Sequence, residues 1–500
     1  MNQKEDKGLF WGCFVALIAT AFGFIVRAQI IGDWAKEFNL TETQKGEIFG
    51  VGLWPFAISI VLFSLIIDKV GYKVAMIFGF ICHVVSALIT INAKGYNSLY
   101  LGTFIVALGN GTVEAYINPV VATMFNKDKT KWFNILHAGW PGGLVLGGVL
   151  AIALGDISWK IKVLLLLIPT AIYFIMLIGK KFPVNERVAA GVSYISMLKE
   201  VGSLGIFIIA WMVCSELSRV FGWSANPPLL GAVIAAVAAV VFGLVVRSLG
   251  RPMFIFLLIV MIPLATTELG VDSWVTDLMT PVMGKLSPWL LVYTSAIMAM
   301  LRFLAGPIVH KLSPLGLLAC CATLAAIGLF SLSVAGAGWT IFLAATLYAM
   351  GKTFFWPTTL GVVSEQFPRG GAMTLNGIAG VGMLGVGVLG AMFLGNIQDT
   401  TIDSTLARRD ATLHQRVMIP KSGLLGSYNA VDTEKIGELD EQARALIKEV
   451  QDGSKKTALS KVTVFPVFML VCYLVLLGYF KSRGGYKPVE LVTSSEAPSP

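Results

Sequence analysis

Five hundred residues, 56% of them hydrophobic and only 13% charged, with a mean hydropathy of +0.77, exclude a soluble domain, which is typically about 25% charged. The formal net charge of +9 does not indicate a nucleic-acid surface, because Lys and Arg fall mainly in short loops between apolar runs, where they report membrane topology. Those runs are continuous and near helical span length rather than short and alternating, which excludes a β-barrel and predicts an all-α polytopic membrane protein.

In chain order, residues 1–7 form a short charged tail. The first apolar run is too long for the core of a secretion signal, and no small-residue cleavage site follows it. It is expected as helix 1, over 8–31. Thr41-Glu42-Thr43 reads as the start of helix 2, which runs to Ile67. Helices 3 to 6 are predicted over 74–92, 99–125, 132–154 and 161–178. A polar linker over 179–202 leads to two apolar stretches, 203–216 and 228–246. Parity favours both crossing, since the basic pair Arg247 and Arg251 then returns to the side from which the linker came. Helices 7 to 12 follow over 253–274, 289–309, 315–333, 340–364, 372–395 and 461–480. Residues 396–460 make a long hydrophilic outer loop, in which 433–451 has the spacing of an amphipathic helix. A Ser/Pro/Glu-rich tail over 485–500 is expected to be disordered.

Positive charges mark every second connection: Lys69 and Lys73, then Lys127, Lys129 and Lys131, then Lys180, Lys181 and Arg187. The positive-inside rule places these loops, and both termini, in the cytoplasm of a multi-pass protein of the cell (inner or plasma) membrane. The expected units are an N-terminal six-helix bundle (1–180), a linker with an inserted helix pair (181–252) and a C-terminal six-helix bundle (253–484), about 14 helices in all. The six cysteines sit in apolar runs without metal-type spacing. No phosphate-binding loop or enzyme constellation is visible, so no cofactor or metal is expected and the chain is not read as an enzyme.

Against this background the polar residues at membrane depth stand out. A charge at a helix centre costs about 2.5–3.5 kcal/mol on insertion scales, so such groups face a protein interior or a wet cavity. Helix 4 carries Glu114 and Asn118. Helix 5 carries Asn134, His137 and Trp140 before a run of glycines. Helix 1 carries Arg27, helix 7 Glu268, helix 8 Arg302, helix 10 Lys352 and Trp356, and helix 11 Asn376. Glu114 and His137 are the expected proton-coupling groups, because a desolvated carboxyl and an imidazole both exchange protons readily. The halves also echo one another. Gly109-Asn110-Gly111 and Asn118-Pro119 in helix 4 correspond to Gly351-Lys352-Thr353 and Trp356-Pro357 in helix 10, and glycine-rich helices 5 and 11 each open with an Asn.

Six plus six helices, with the turn Ser64-Leu65-Ile66-Ile67-Asp68-Lys69-Val70-Gly71-Tyr72-Lys73 between helices 2 and 3, resemble the major facilitator superfamily. Asp68, Gly71 and Lys73 match its signature turn, while Ser64 and Tyr72 depart from it. The resemblance implies a gating role for Asp68, Gly71 and Lys73, to which Arg302 near the inner end of helix 8 is added. Glu114-Ala115-Tyr116-Ile117-Asn118-Pro119 is similar to a stretch of the fucose/galactose:proton symporters, which implies a substrate and proton role for Glu114. That group has an acid in helix 1 where this chain has Arg27, and polar amides where it has His137 and Trp140. Arg27 with the helix 5 residues also resembles the organophosphate:phosphate antiporters.

The expectation is a secondary active transporter, a monomer in the lipid bilayer. It would move a small, sugar-like polar solute by alternating access, with protons or with sodium. Its binding residues would be Arg27, Asn118, Asn134, Trp140, Glu268, Lys352, Trp356 and Asn376. The alternative is an organic-anion or phosphate-ester exchanger centred on Arg27.

Overall fold

A computed structural model describes residues 6–155, 157–336, 338–423, 426–437 and 439–491. Residues 1–5 of the charged tail and 492–500 of the Ser/Pro-rich tail lie outside them. Eleven helices are long and apolar enough to cross a membrane. Helix 4 (Tyr96–Met124), helix 10 (Trp339–Lys352 then Phe355–Gln366) and helix 11 (beginning Gly371–Leu384) complete a set of fourteen. These three carry Glu114, Lys352 and Asn376. The chain is thus helical throughout the membrane, as two six-helix bundles with an inserted helix pair.

Local chemistry sets many of the helix ends. The Asp6 side chain accepts from the amide of Leu9 and caps helix 1, Lys7–Glu37. Thr41 and Gln44 form a reciprocal capping box at the entrance to helix 2. Helices 7, 8 and 9 place Pro252, Pro288 and Pro314 in the first turn, where the missing N–H costs nothing. Gly71, at φ +90°, turns the chain between Trp54–Val70 and Tyr72–Ile91, a conformation that a side chain would strain.

Within the N-terminal bundle helix 1 packs on helices 5 and 6, and helix 3 on helix 4. The bundles meet where helix 2 lies on helix 11, and helix 5 on helices 8 and 10. Helices 9 and 10 approach closely. A Cβ on Gly351 would lie 2.2 Å from the amide nitrogen of Ala325, and one on Gly328 would lie 2.3 Å from that of Tyr348. Backbone cannot move aside as a flexible side chain can. Gly351→Val is therefore expected to cost about 1–3 kcal/mol or more through overpacking, read as a lower Tm in detergent.

The first inserted helix is Tyr194–Phe221, 28 residues and so about 42 Å at 1.5 Å per residue, longer than the predicted 203–216. It bends at Gly202, whose φ of +63° interrupts the helix. The amides of Ser203 and Leu204 donate instead to the carbonyls of Ser248 and Leu249, just after the second inserted helix, Pro227–Val246. The Glu200–Arg251 ion pair closes the same corner. Both ends of the pair therefore lie on one face, and both helices are long and apolar enough to cross a membrane. The pair lies along helices 11 and 7, and its second helix shows Val237, Leu244 and Val245 outward.

Four expectations need correction. Helix 7 does not end at its polar run. It passes through a widened π-turn, Thr266–Gly270, and continues as Val271–Met283. Helix 11 likewise passes through a π-turn, Gly385–Gly390, and extends as Ala391–Arg409. The outer loop is largely structured. Ala411–Val417 and an antiparallel hairpin, Met418–Gly423 with Gly426–Val431, lead to a helix Glu441–Val462 that packs back on Ala391–Arg409 and runs into helix 12, Val464–Ser482. Finally, the tail begins ordered: the Tyr486 hydroxyl donates to Glu365, and the Val489 amide to the Glu365 carbonyl.

Candidate functional site

Three prolines shape the centre of the molecule. A proline has no N–H to give to the carbonyl four residues earlier, so that carbonyl is released from the helix. Pro141 releases His137, Pro357 releases Thr353, and Pro119 releases Ala115. Each released oxygen is taken by a polar side chain. Arg302 donates from Nη1 to the His137 carbonyl at 2.7 Å and from Nε to the Thr353 carbonyl at 2.6 Å. Asn376 donates to the Ala115 carbonyl at 3.0 Å. The Arg302–His137 and Asn376–Ala115 bonds cross from one bundle to the other.

Arg302 completes its set with Glu268, Nη2 to Oε1 at 2.7 Å, both side chains 1–2% exposed. The other oxygen of Glu268 accepts from the Trp356 amide at 3.1 Å. That amide opens the second half of helix 10, where the first N–H groups have no partner within the helix and the dipole favours an anion. The first half ends at Lys352, where the dipole favours a cation. Lys352 pairs with Asp272, lies 3.5 Å from the Thr294 hydroxyl and sits over the Tyr348 ring. One break thus fixes an acid at one helix end and a base at the other.

Across the cleft, Asn118 bridges Glu114 and His137. Its Nδ2 donates to Glu114 Oε2 at 2.8 Å, and its Oδ1 lies 3.0 Å from His137 Nε2, which places the proton of that ring nitrogen between them. Glu114 is 4% exposed. Its one described hydrogen bond is to Asn118, and no basic side chain lies within ion-pair distance of it among the described residues. Glu114, His137, Trp140, Glu268, Arg302 and Trp356 converge on a cavity of about 20 Å³ between the bundles, room for about one water molecule. The indole N–H of Trp140 is buried without an acceptor.

The remaining expected residues fall elsewhere. Asn134 donates to the Thr358 hydroxyl across the bundle interface. Lys352 is neutralised by Asp272, beside the cavity rather than on it. Arg302, expected as a gating residue near the inner end of helix 8, is a strut between the bundles. Arg27 is not on the cleft: it lines a separate cavity inside the N-terminal bundle. Asp68 pairs with Arg187 of the linker at 2.6 Å, and Lys73 is exposed.

The face carrying the basic loops is closed by links that the sequence did not single out. Lys129 meets Glu186 at 2.5 Å and the Ser364 carbonyl at 3.1 Å. The amide and hydroxyl of Thr130 both donate to Glu365 Oε1, at 3.1 and 2.6 Å. His310 lies 3.2 Å from Asp128. Glu365 therefore ties helix 5, helix 10 and the tail at Tyr486. Glu365→Ala should release this face, measured as several-fold faster hydrogen exchange at the amides of 128–134. Unchanged exchange there would show that Glu365 does not hold the face shut.

A family model described as Major Facilitator Superfamily matches residues 12–392. A TsgA protein homolog of Buchnera aphidicola is 25% identical over 190 residues, 37% of this chain and 49% of that protein. A gentisate transporter of Corynebacterium glutamicum is 26% identical over 163 residues, 31% of this chain and 36% of its own length. The chain spans half or less of these two relatives. The crystal structure of an E. coli fucose:proton symporter aligns over 91% of this chain and 98% of that one, with 15% identity and a TM-score of 0.53, a likeness of fold.

Proposed function

This chain belongs to the Major Facilitator Superfamily, a family of transporters, and from that premise we propose that it carries a small, sugar-like polar solute together with protons by alternating access. The observation that carries the reading is Glu114. It is a carboxyl at membrane depth, in the cleft between the bundles, held by one amide and by no cation. Such a group takes up a proton at small cost and loses it when the cleft opens to water. Glu268, fixed by Arg302 and the Trp356 amide, is a structural acid by comparison.

A neutral solute suits this cleft better than an anion. Arg302 spends three of its five N–H donors on Glu268 and two released carbonyls, its charge is met by Glu268, and two carboxyls face the space. Trp140 and Trp356 offer flat apolar faces and one free indole donor, a combination that fits the two sides of a sugar ring. His137 and Asn118 supply further hydrogen bonds. At about 20 Å³ the cavity admits no such solute until the bundles part. On the basic-loop side that parting must break the Lys129, Thr130 and Asn134 links. We place this face in the cytoplasm of a plasma-type membrane and read the protein as a monomer.

The test is transport by purified protein in liposomes. Adding the right sugar or polyol should raise the pH of a weakly buffered medium as protons enter with it. Candidate solutes are found first by ligand-dependent Tm shifts. A second reading, organic-anion exchange, has support in the partial match to a gentisate transporter. It would centre on Arg302 rather than Arg27. Carboxylates that shift Tm where sugars do not, and that exchange without proton movement, would favour it.

A further inference from the structure

Arg27 lies 20 residues into helix 1, inside the N-terminal bundle, and is 8% exposed. No hydrogen bond or ion pair to it is found among the described residues. Its neighbours are the Phe24 ring, with the guanidinium carbon 6.0 Å from the centroid, and the bare backbone of Gly52, where an added Cβ would lie 2.5 Å from Nη2. A guanidinium largely withdrawn from water and without a counter-charge is unfavourable. A fold does not retain it unless something satisfies it.

The same arginine lines a cavity of about 30 Å³ between helices 1, 3, 4 and 6. Its polar lining consists of Arg27, Trp34 and the hydroxyl residues Ser86, Thr90 and Thr103, and no carboxylate faces it. The indole N–H of Trp34 is buried without an acceptor. Ser86 gives its hydroxyl proton to the Gly102 carbonyl. The rest of the lining is apolar and includes Val26, Ile30, Val106, Val163 and Leu166. This is a pocket of donors around a fixed positive charge, with room for about two water molecules.

We propose that this cavity is a binding site for a small monatomic anion, a halide, held by the Arg27 guanidinium with support from Trp34 and the threonine hydroxyls. Water molecules would fill the space but leave the charge uncompensated. Sulfate, a dianion, would bring more negative charge than the single guanidinium compensates. The site is distinct from the solute cleft and stands behind Phe24, whose ring is also 5.9 Å from that of Trp140. Halide occupancy therefore sets the position of a residue that packs on the cleft wall. The inference does not depend on which solute is carried.

The test uses the purified full-length protein at constant ionic strength. Replacing gluconate by chloride or bromide should raise Tm saturably by a few degrees, sulfate should not, and Arg27→Gln should remove the halide effect. Should that variant fail to fold, crystals of the unaltered protein grown in bromide decide: the expected result is an anomalous peak between Arg27 and Thr103. A Tm indifferent to halide, a halide shift that survives Arg27→Gln, or bromide crystals without a peak in this cavity would each overturn the proposal.

Discussion

In proteoliposomes, Glu114→Gln is expected to abolish concentrative uptake while exchange of solute across the membrane persists. Glutamine keeps the size of the side chain and can still accept from Asn118, so the cleft keeps its shape. What it cannot do is take up or release a proton. The carrier would then behave as if permanently protonated, reorienting with solute but no longer drawing on a pH gradient. Accumulation should fall to simple equilibration, and the dependence of uptake on external pH should flatten. In the unaltered protein acidification of the side from which solute enters should speed uptake, because protonation there favours the loaded form. Concentrative uptake that survives in Glu114→Gln would move the coupling acid elsewhere, with Glu268 the next group to test.

The second large effect concerns Arg302. Arg302→Met should lower stability by about 3–5 kcal/mol, the usual cost of stranding the partner of a buried ion pair, and should remove transport. Glu268 would be left charged and buried, and the carbonyls of His137 and Thr353 would lose the donor that replaced their helical one. Adding Glu268→Gln to Arg302→Met should recover part of the Tm, since the stranded charge is gone, but not transport. Arg302→Lys should fall between, because an ammonium keeps the charge without the planar fork that reaches three acceptors. A Tm unchanged in Arg302→Met would mean that the three bonds around it contribute little.

The prolines show how far the sequence could be read at this site. Asn118-Pro119 and Trp356-Pro357 were visible as an echo between the halves, and Trp140-Pro141 repeats the second pair within helix 5. Each marks a carbonyl in need of a donor, a local fact. Which donor comes was not local. Arg302 and Asn376 are far along the chain from the oxygens they meet, and nothing in their own segments names those partners. Lys352 and Asp272 are likewise 80 residues apart, so the neutralisation of that lysine could not be foreseen from its helix. Glu114, Asn118 and His137 were legible as a set because residues one helical turn apart on helix 4 share a face, and helix 5 follows directly. Arg27 was misplaced for the opposite reason. A charge in an apolar helix announces burial, but not whether it turns toward the cleft or into its own bundle.

By itself the sequence determined a membrane protein of helices, with their number and their order. Those follow from the cost of exposing backbone and charge to lipid, a cost that composition and length express directly. The tertiary structure alone decided which polar groups meet. It made Arg302 a strut between bundles, set Arg27 behind Phe24 and turned Glu365 into the tie of the basic-loop face. Side chains brought together by helix packing find partners by geometry, and at these distances along the chain geometry is not written in spacing.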